Sequence, residues 1–376
     1  MIDSETMLTG LLKLSLSREA LAERLGLVSR AVSSRTAVLV LGGIHLRAEN
    51  GRLELAATDM EISLRAGIDA AVSTEGEVVV PGRLLADIVK SLPAAEVSIE
   101  HIAEEGVVEI VSGTATYRLH TYSTEDFPRL PEIDESTLHA VDRGALLETI
   151  ARVSRSASRD ESRPVLTGVL VRFEPGKLIM AATDSYRLAV KETATTVPLP
   201  DLEAIIPARA LQELARIAAS SDEIKLGVQE NHVAFGAGGA WLTTRRIDGQ
   251  FPNYRQLLPE TFEHELELPR EEVLDVVRRV SLMAQRNSPL RLRFAEGELT
   301  VSAQTQDVGE ARESLPAAYT GEPLEIGFNA EFLRDGLESI ESPTVRFKLI
   351  SPLRPAVLEG ERTDYTYLIM PIRLAG

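Results

Sequence analysis

Thr58-Asp59 and Thr183-Asp184 stand at the same place in two copies of one stretch. Gly51-Arg52-Leu53-Glu54-Leu55-Ala56-Ala57-Thr58-Asp59 returns as Gly176-Lys177-Leu178-Ile179-Met180-Ala181-Ala182-Thr183-Asp184. Two carboxylates can share general acid and base work when they stand several ångströms apart. Equivalent places in successive repeats lie a domain apart, so that reading fails on distance. A Thr-Asp pair that closes a strand and shapes its turn accounts for both residues. The histidines His45, His101, His120, His139, His232 and His264 have no metal-ligand spacing. The chain has no Gly-rich phosphate loop with Lys, no dinucleotide fingerprint and no Gly-x-Ser-x-Gly elbow. It also has no cysteine, which excludes disulfides and thiolate metal sites. The expectation is no catalytic residue, no cofactor and no metal.

Charge narrows the partners. Forty basic against fifty-seven acidic residues give a net charge of −17, which on average repels nucleic acid and anionic membranes. A nucleic-acid role therefore requires basic residues gathered on one face. Met1–Ser17 carries acidic residues where a secretory signal needs basic ones. No apolar run approaches the roughly 18 residues of a membrane helix. The prediction is a soluble, cytoplasmic protein without a membrane partner.

The repeat dictates the elements that position everything else. A degraded third copy, Gly297 to Thr305, follows at a similar interval, and Phe127-Pro128 recurs as Phe251-Pro252. Three domains are expected, at 1–131, 132–259 and 260–376. Leu21/Leu25/Val28/Val32, Leu146/Ile150/Val153/Ala157 and Val273/Val276/Val277/Val280 predict one buried helix stripe in each third. A second helix per third follows an apolar run, with stripes Leu85/Ile88/Val89/Leu92, Leu211/Leu214/Ala215/Ala218 and Leu333/Leu337/Ile340. Pro81 and Pro207 suit the first helical turn, and Asn329 suits a side-chain cap. Two helices per third among many hairpin strands predict an α+β fold with antiparallel sheets.

Ala181–Val190, Asp248–Pro259, Ile326–Leu333 and Tyr367–Leu374 resemble the bacterial DNA polymerase sliding clamps, the beta subunits of replicative polymerases. The resemblance runs from about Leu12 to Leu374. It implies three repeated DNA-clamp domains per chain, antiparallel sheets outside, helices inside, and a ring-shaped head-to-tail homodimer. Helix packing agrees: twelve helices about 9 Å apart make a circle roughly 34 Å across at their axes, whereas six make one roughly 17 Å across. After subtraction of about 5 Å of helix radius on each side, only the larger ring passes a duplex roughly 20 Å wide.

The resemblance also implies a function and its sites. The function is a non-catalytic processivity factor that encircles duplex DNA without regard to sequence, nucleoid-associated during replication. It tethers the replicative polymerase, the clamp loader and other clamp-motif proteins through one pocket. That pocket joins Leu166, Thr183, Tyr186, Arg187, Leu188, Pro252 and Leu257 to Asn329, Phe332, Leu353, Leu368, Ile369, Met370, Pro371, Ile372, Arg373 and Leu374. Gln256, Phe332 and Asn287 depart from residues familiar in relatives, which bears on preference at the rim. The implied dimer contact sets Tyr117 and Leu119 against Leu282.

Basic positions recur across the repeats and are read as DNA-facing: Arg152, Arg155 and Arg159 on one helix face, Arg83 with Lys90, Arg209 with Arg216, and Arg35, Arg163 and Arg286 in loops. Glu331, Asp335 and Glu338 interrupt the pattern in the last third and predict an uneven lining. Few phosphate contacts mean weak, slidable binding. A repeat scaffold that binds peptides and never meets DNA is the competing expectation, favoured by the acidic total.

Overall fold

The computed structural model describes residues 11–33, 37–134, 138–196, 202–284, 288–306 and 308–374. Seven α-helices are α1 (Arg18–Val28), α2 (Gly82–Ser91), α3 (Arg143–Val153), α4 (Pro164–Thr167), α5 (Ala208–Ile217), α6 (Arg270–Ser281) and α7 (Ala330–Glu338) among the described residues. The predicted stripes are buried: Leu21, Leu25 and Val28 on α1, Leu146, Ile150 and Val153 on α3, Val273, Val277 and Val280 on α6. Val32 and Ala157 are buried beyond their helices, after a short 3₁₀ turn in each case. Asn329 caps α7 as expected, its Oδ1 accepting from the Phe332 N–H at 3.0 Å. Pro81 and Pro207 instead end the preceding strands, one residue before α2 and α5. The fixed proline φ serves extended backbone as well as a helical first turn.

Chain contacts divide the molecule into two compact units, residues 1–143 with 213–246 and residues 144–212 with 247–376. In the first, an eight-stranded sheet runs in the order His139–Val141, Ile224–Val228, His232–Ala237, Ala240–Arg245, Ile62–Asp69, Arg52–Thr58, Gly43–Glu49, Gly76–Pro81. A five-stranded sheet accompanies it, with Ala115–His120 as one edge, and α1 packs on α2. In the second, the eight strands run Leu202–Pro207, Gly168–Glu174, Lys177–Thr183, Arg187–Ala194, Tyr365–Ile369, Ala356–Glu359, Thr344–Leu349, His264–Pro269. A four-stranded sheet has Gly309–Pro316 as one edge, and α6 packs on α7. The units do not follow the sequence thirds because the middle third lends four strands to each eight-stranded sheet.

The repeated stretch explains its own spelling. Gly51, Gly176 and Gly297 all turn a hairpin at φ +74°, a conformation that glycine adopts without Cβ strain. Thr58 and Thr183 then close their strands with one shared set of bonds. Each hydroxyl donates to the carbonyl four residues on, Ile62 at 3.0 Å and Arg187 at 2.7 Å. Each also accepts from the N–H of the positive-φ residue at the turn, Met60 (φ 76°) or Ser185 (φ 79°). Oδ1 of Asp59 and of Asp184 accepts two further backbone N–H groups. Such carboxylates are structural acceptors, as the turn-forming account predicts.

Candidate functional site

In the second unit the Thr183-Asp184 turn delivers the next strand beside the strand near the end of the chain. Arg187 pairs with Ile369 and Leu188 with Leu368, and the Met370 N–H donates to the Tyr186 carbonyl at 2.8 Å. The following segment lies on the strand Leu324–Phe328: the Ile372 N–H donates to the Gly327 carbonyl at 2.8 Å. A Cβ on Gly327 would stand 2.6 Å from Leu374 Cδ2, so that position admits no side chain without displacing Leu374. Asn329 and Phe332 follow at once on α7.

Beneath this segment lies a cluster of Leu170, Ala181, Leu188, Val190, Tyr254, Val357 and Leu368, with Phe251, Leu258 and Phe262 packed on it. Tyr254 belongs to the short turn Tyr254–Leu257 and anchors the segment carrying Pro252 and Leu257. Several large apolar side chains on these segments and on the loop before Ala356–Glu359 are exposed: Tyr186 61%, Leu257 50%, Leu353 64%, Met370 39% and Ile372 37%. Large apolar side chains left exposed gain by being covered. Thr183, Leu188, Leu368 and Ile369 are buried and form structure rather than surface. Leu166 and Pro371 are half-buried, and Arg373 is exposed.

Arg187 is the unusual member. Its side chain is 5% exposed, yet every end of the guanidinium is engaged. Nε donates to Asp184 Oδ2 at 3.0 Å, Nη1 to Asp335 Oδ2 at 2.6 Å and Nη2 to the Arg155 carbonyl at 2.7 Å. The cation stands 4.3 Å from the Phe332 ring centroid. Burial alone would lower its pKa, but the Tyr367 hydroxyl and the two carboxylates outweigh that and raise it. The Tyr367 hydroxyl, pushed well above the ordinary phenol range by burial, donates to the Phe332 carbonyl at 2.8 Å. Sequence reading missed Asp335, Tyr367 and Tyr254, whose roles depend on segments distant in the chain.

The basic residues are less free than their spacing suggests. Arg152 is ion-paired with Glu148 at 2.9 Å and with Glu341, and its side chain is only 11% exposed. Arg155 pairs with Glu338 at 3.0 Å, Arg159 with Glu331 at 3.8 Å, Arg163 with Asp160 at 3.1 Å, and Arg216 with Glu213. The acidic side chains of α7, expected to interrupt a basic lining, are thus counter-ions: Glu331 to Arg159, Asp335 to Arg187, and Glu338 to Arg155 and Arg278. Burial works to raise the Glu338 pKa, but its two arginine partners prevail and lower it. Arg83, Lys90 and Arg209 are exposed. Arg35, Arg286 and the rim position Asn287 lie outside the described residues.

Tyr117 sits 37% exposed on the edge strand Ala115–His120, and Leu282, just past α6, is 83% exposed. Leu119, on the same edge, is buried within its own unit.

Family models for the DNA polymerase III beta subunit match the chain in three consecutive parts. These are the N-terminal domain at residues 12–131, the central domain at 140–253 and the C-terminal domain at 255–373. The "Beta sliding clamp" of Streptomyces coelicolor is 36% identical over 380 residues, covering 97% of this chain and 100% of that protein. That of Micrococcus luteus is 37% identical over 309 residues, covering 81% and 99%. Among solved structures, the DNA polymerase sliding clamp from Bacillus subtilis matches with a TM-score of 0.90 at 27% identity, covering 97% of this chain and 100% of that one. A Pseudomonas aeruginosa sliding clamp bound to griselimycin matches with a TM-score of 0.87 at 30% identity and the same coverage.

Proposed function

The chain belongs to the DNA polymerase III beta subunit family, the bacterial sliding clamps, and from that premise we propose how it closes on DNA and where its partners dock. It is a processivity factor without catalytic activity of its own. Two copies join head to tail around duplex DNA, each contributing three domains at 1–131, 132–259 and 260–376. The polymerase, clamp loader and other clamp-motif proteins dock short peptides on the apolar surface of Tyr186, Leu257, Phe332, Leu353, Met370 and Ile372. Tyr117 and Leu282 belong to the contact between copies, while Arg83, Lys90, Arg155, Arg159, Arg163, Arg209 and Arg216 face the duplex.

One observation carries the closure. Each unit holds a seam between repeats, made by strands in the same repeat positions. In the first unit Ile62–Asp69 pairs with Ala240–Arg245, Leu64 opposite Leu242. In the second Arg187–Ala194 pairs with Tyr365–Ile369, Ala189 opposite Tyr367. The remaining strands of this kind are Gly309–Pro316 in the last third and Ala115–His120 in the first, and both are sheet edges. An open edge is a template for a further strand. Continuing the shared register sets Ala311 opposite Tyr117 of a second copy, and Glu310 opposite that copy's Arg118. Griselimycin on the Pseudomonas aeruginosa clamp supports a ligand site in the family.

Size-exclusion chromatography with light scattering tests the closure. A dimer is expected, weakened by Glu310→Lys and restored when Arg118→Glu is added; a monomer at micromolar concentration refutes it. The ion pairing of Arg152, Arg155 and Arg159 favours the scaffold reading. After clamp-loader loading, retention on nicked circular DNA with loss upon linearisation decides for encirclement, and no retention decides for the scaffold.

A further inference from the structure

Arg187 resembles a ligand-binding cation by position, but its surroundings leave it covered and paired. Nε, Nη1 and Nη2 each donate to a protein acceptor, and the side chain is 5% exposed. A charge already paired and covered adds little to the capture of an anion. What it does touch is Phe332, whose ring lies over the guanidinium at 4.3 Å.

The repeats supply an internal comparison. The same turn in the first third carries Ile62 where Arg187 stands. Aligning Ala204–Ala208 with Ile326–Ala330 sets Ala210 at the place of Phe332 and Glu213 at the place of Asp335. Glu213 meets Arg30 at 3.1 Å. The arginine and the aromatic ring therefore change together, the acidic position stays acidic but with other arginine partners, and the trio stands only in the copy whose surface is proposed to take peptides. Fold maintenance alone predicts no such joint change, because the first copy forms the same turn without it.

Within that functional reading, we propose that Arg187 and Asp335 are a positioning pair. They hold the Phe332 ring in its binding-competent place, and neither residue contacts the ligand. Tyr367 fixes the Phe332 carbonyl and Asn329 caps its N–H, so the backbone is already set. The cation sets the ring. Without the Asp335 charge, Nη1 has no anionic partner and the guanidinium is held by Asp184 and the Arg155 carbonyl, which leaves the ring to sample other rotamers. A site competent for only part of the time binds with its affinity reduced by that fraction.

Surface plasmon resonance of griselimycin on the full-length protein tests this with Asp335→Asn, Phe332→Leu, their double variant and Arg187→Met, each checked for native circular dichroism. Asp335→Asn is expected to slow association about 10-fold and to leave dissociation within about twofold. The loss should be the same from about 0.05 to 0.5 M salt. The double variant should lose no more than Phe332→Leu alone. Wild-type association in Asp335→Asn, additive losses, or a salt-dependent rise in dissociation, which marks direct contact, would each overturn the proposal. If Arg187→Met does not fold, the isosteric Asp335→Asn carries the test. Failure of the wild type to bind griselimycin sinks the docking surface itself, and this proposal with it.

Discussion

Lys191 lies inside the second unit with 2% of its side chain exposed. Its ammonium donates to Asp364 at 2.6 Å and stands 3.5 Å from Glu148. The two partners differ from it in being about one-third exposed, Asp364 at 33% and Glu148 at 37%. This asymmetry fixes an order for two substitutions. Asp364→Asn leaves a buried ammonium with the longer contact, to Glu148, as its remaining charged partner. Removing one partner of a buried pair costs about 3–5 kcal/mol, and the remaining Glu148 reduces this to about 2–4. Lys191→Met leaves two carboxylates that water can reach and puts an apolar chain of similar length in the site, for a change of about 0–1 kcal/mol. In a unit of roughly 200 residues these correspond to about 5–15 °C and at most about 4 °C in Tm. The sole tryptophan, Trp241, belongs to the first unit, so its fluorescence would miss the effect. Hydrogen exchange read by mass spectrometry on the Lys191–Tyr365 ladder reports the right unit. A Lys191→Met protein less stable there than Asp364→Asn would refute the reasoning.

Gly336→Ala places a Cβ 2.5 Å from the Tyr367 ring, an overpacking expected to cost about 1–3 kcal/mol by calorimetry; an unchanged Tm would show that the ring has room. His45 is held below its ordinary value of 6.5 by burial, against the opposing pull of Glu77. Its contribution to stability is present above pH 6.5 and lost as pH falls through the depressed value. His45→Gln should therefore flatten the decline in urea midpoint as pH falls below 6.5, and an unaltered slope would remove His45 as the cause.

Local pattern carried much of this protein. The helical periodicity of Leu21/Leu25/Val28, the positive-φ glycines Gly51, Gly176 and Gly297, and the Asn329 cap depend on residues within a few positions of one another. The threefold repeat and the apolar segment from Leu368 were legible for the same reason. The sequence also determined that no histidine, cysteine or Gly-rich motif points to a catalytic centre. What tertiary structure decided was which charges meet. Asp335 and Arg187 are 148 positions apart, and Arg155 meets a glutamate 183 positions away. Periodicity on one helix reports only that a charge is off the apolar stripe; whether it faces solvent or a counter-ion depends on what another segment brings. So five of the arginines read as a free basic lining are paired, and the acidic face of α7 supplies the partners of two of them, Arg155 and Arg159. The division into two compact units has the same origin, since strand pairing between repeats leaves no mark on the strands themselves.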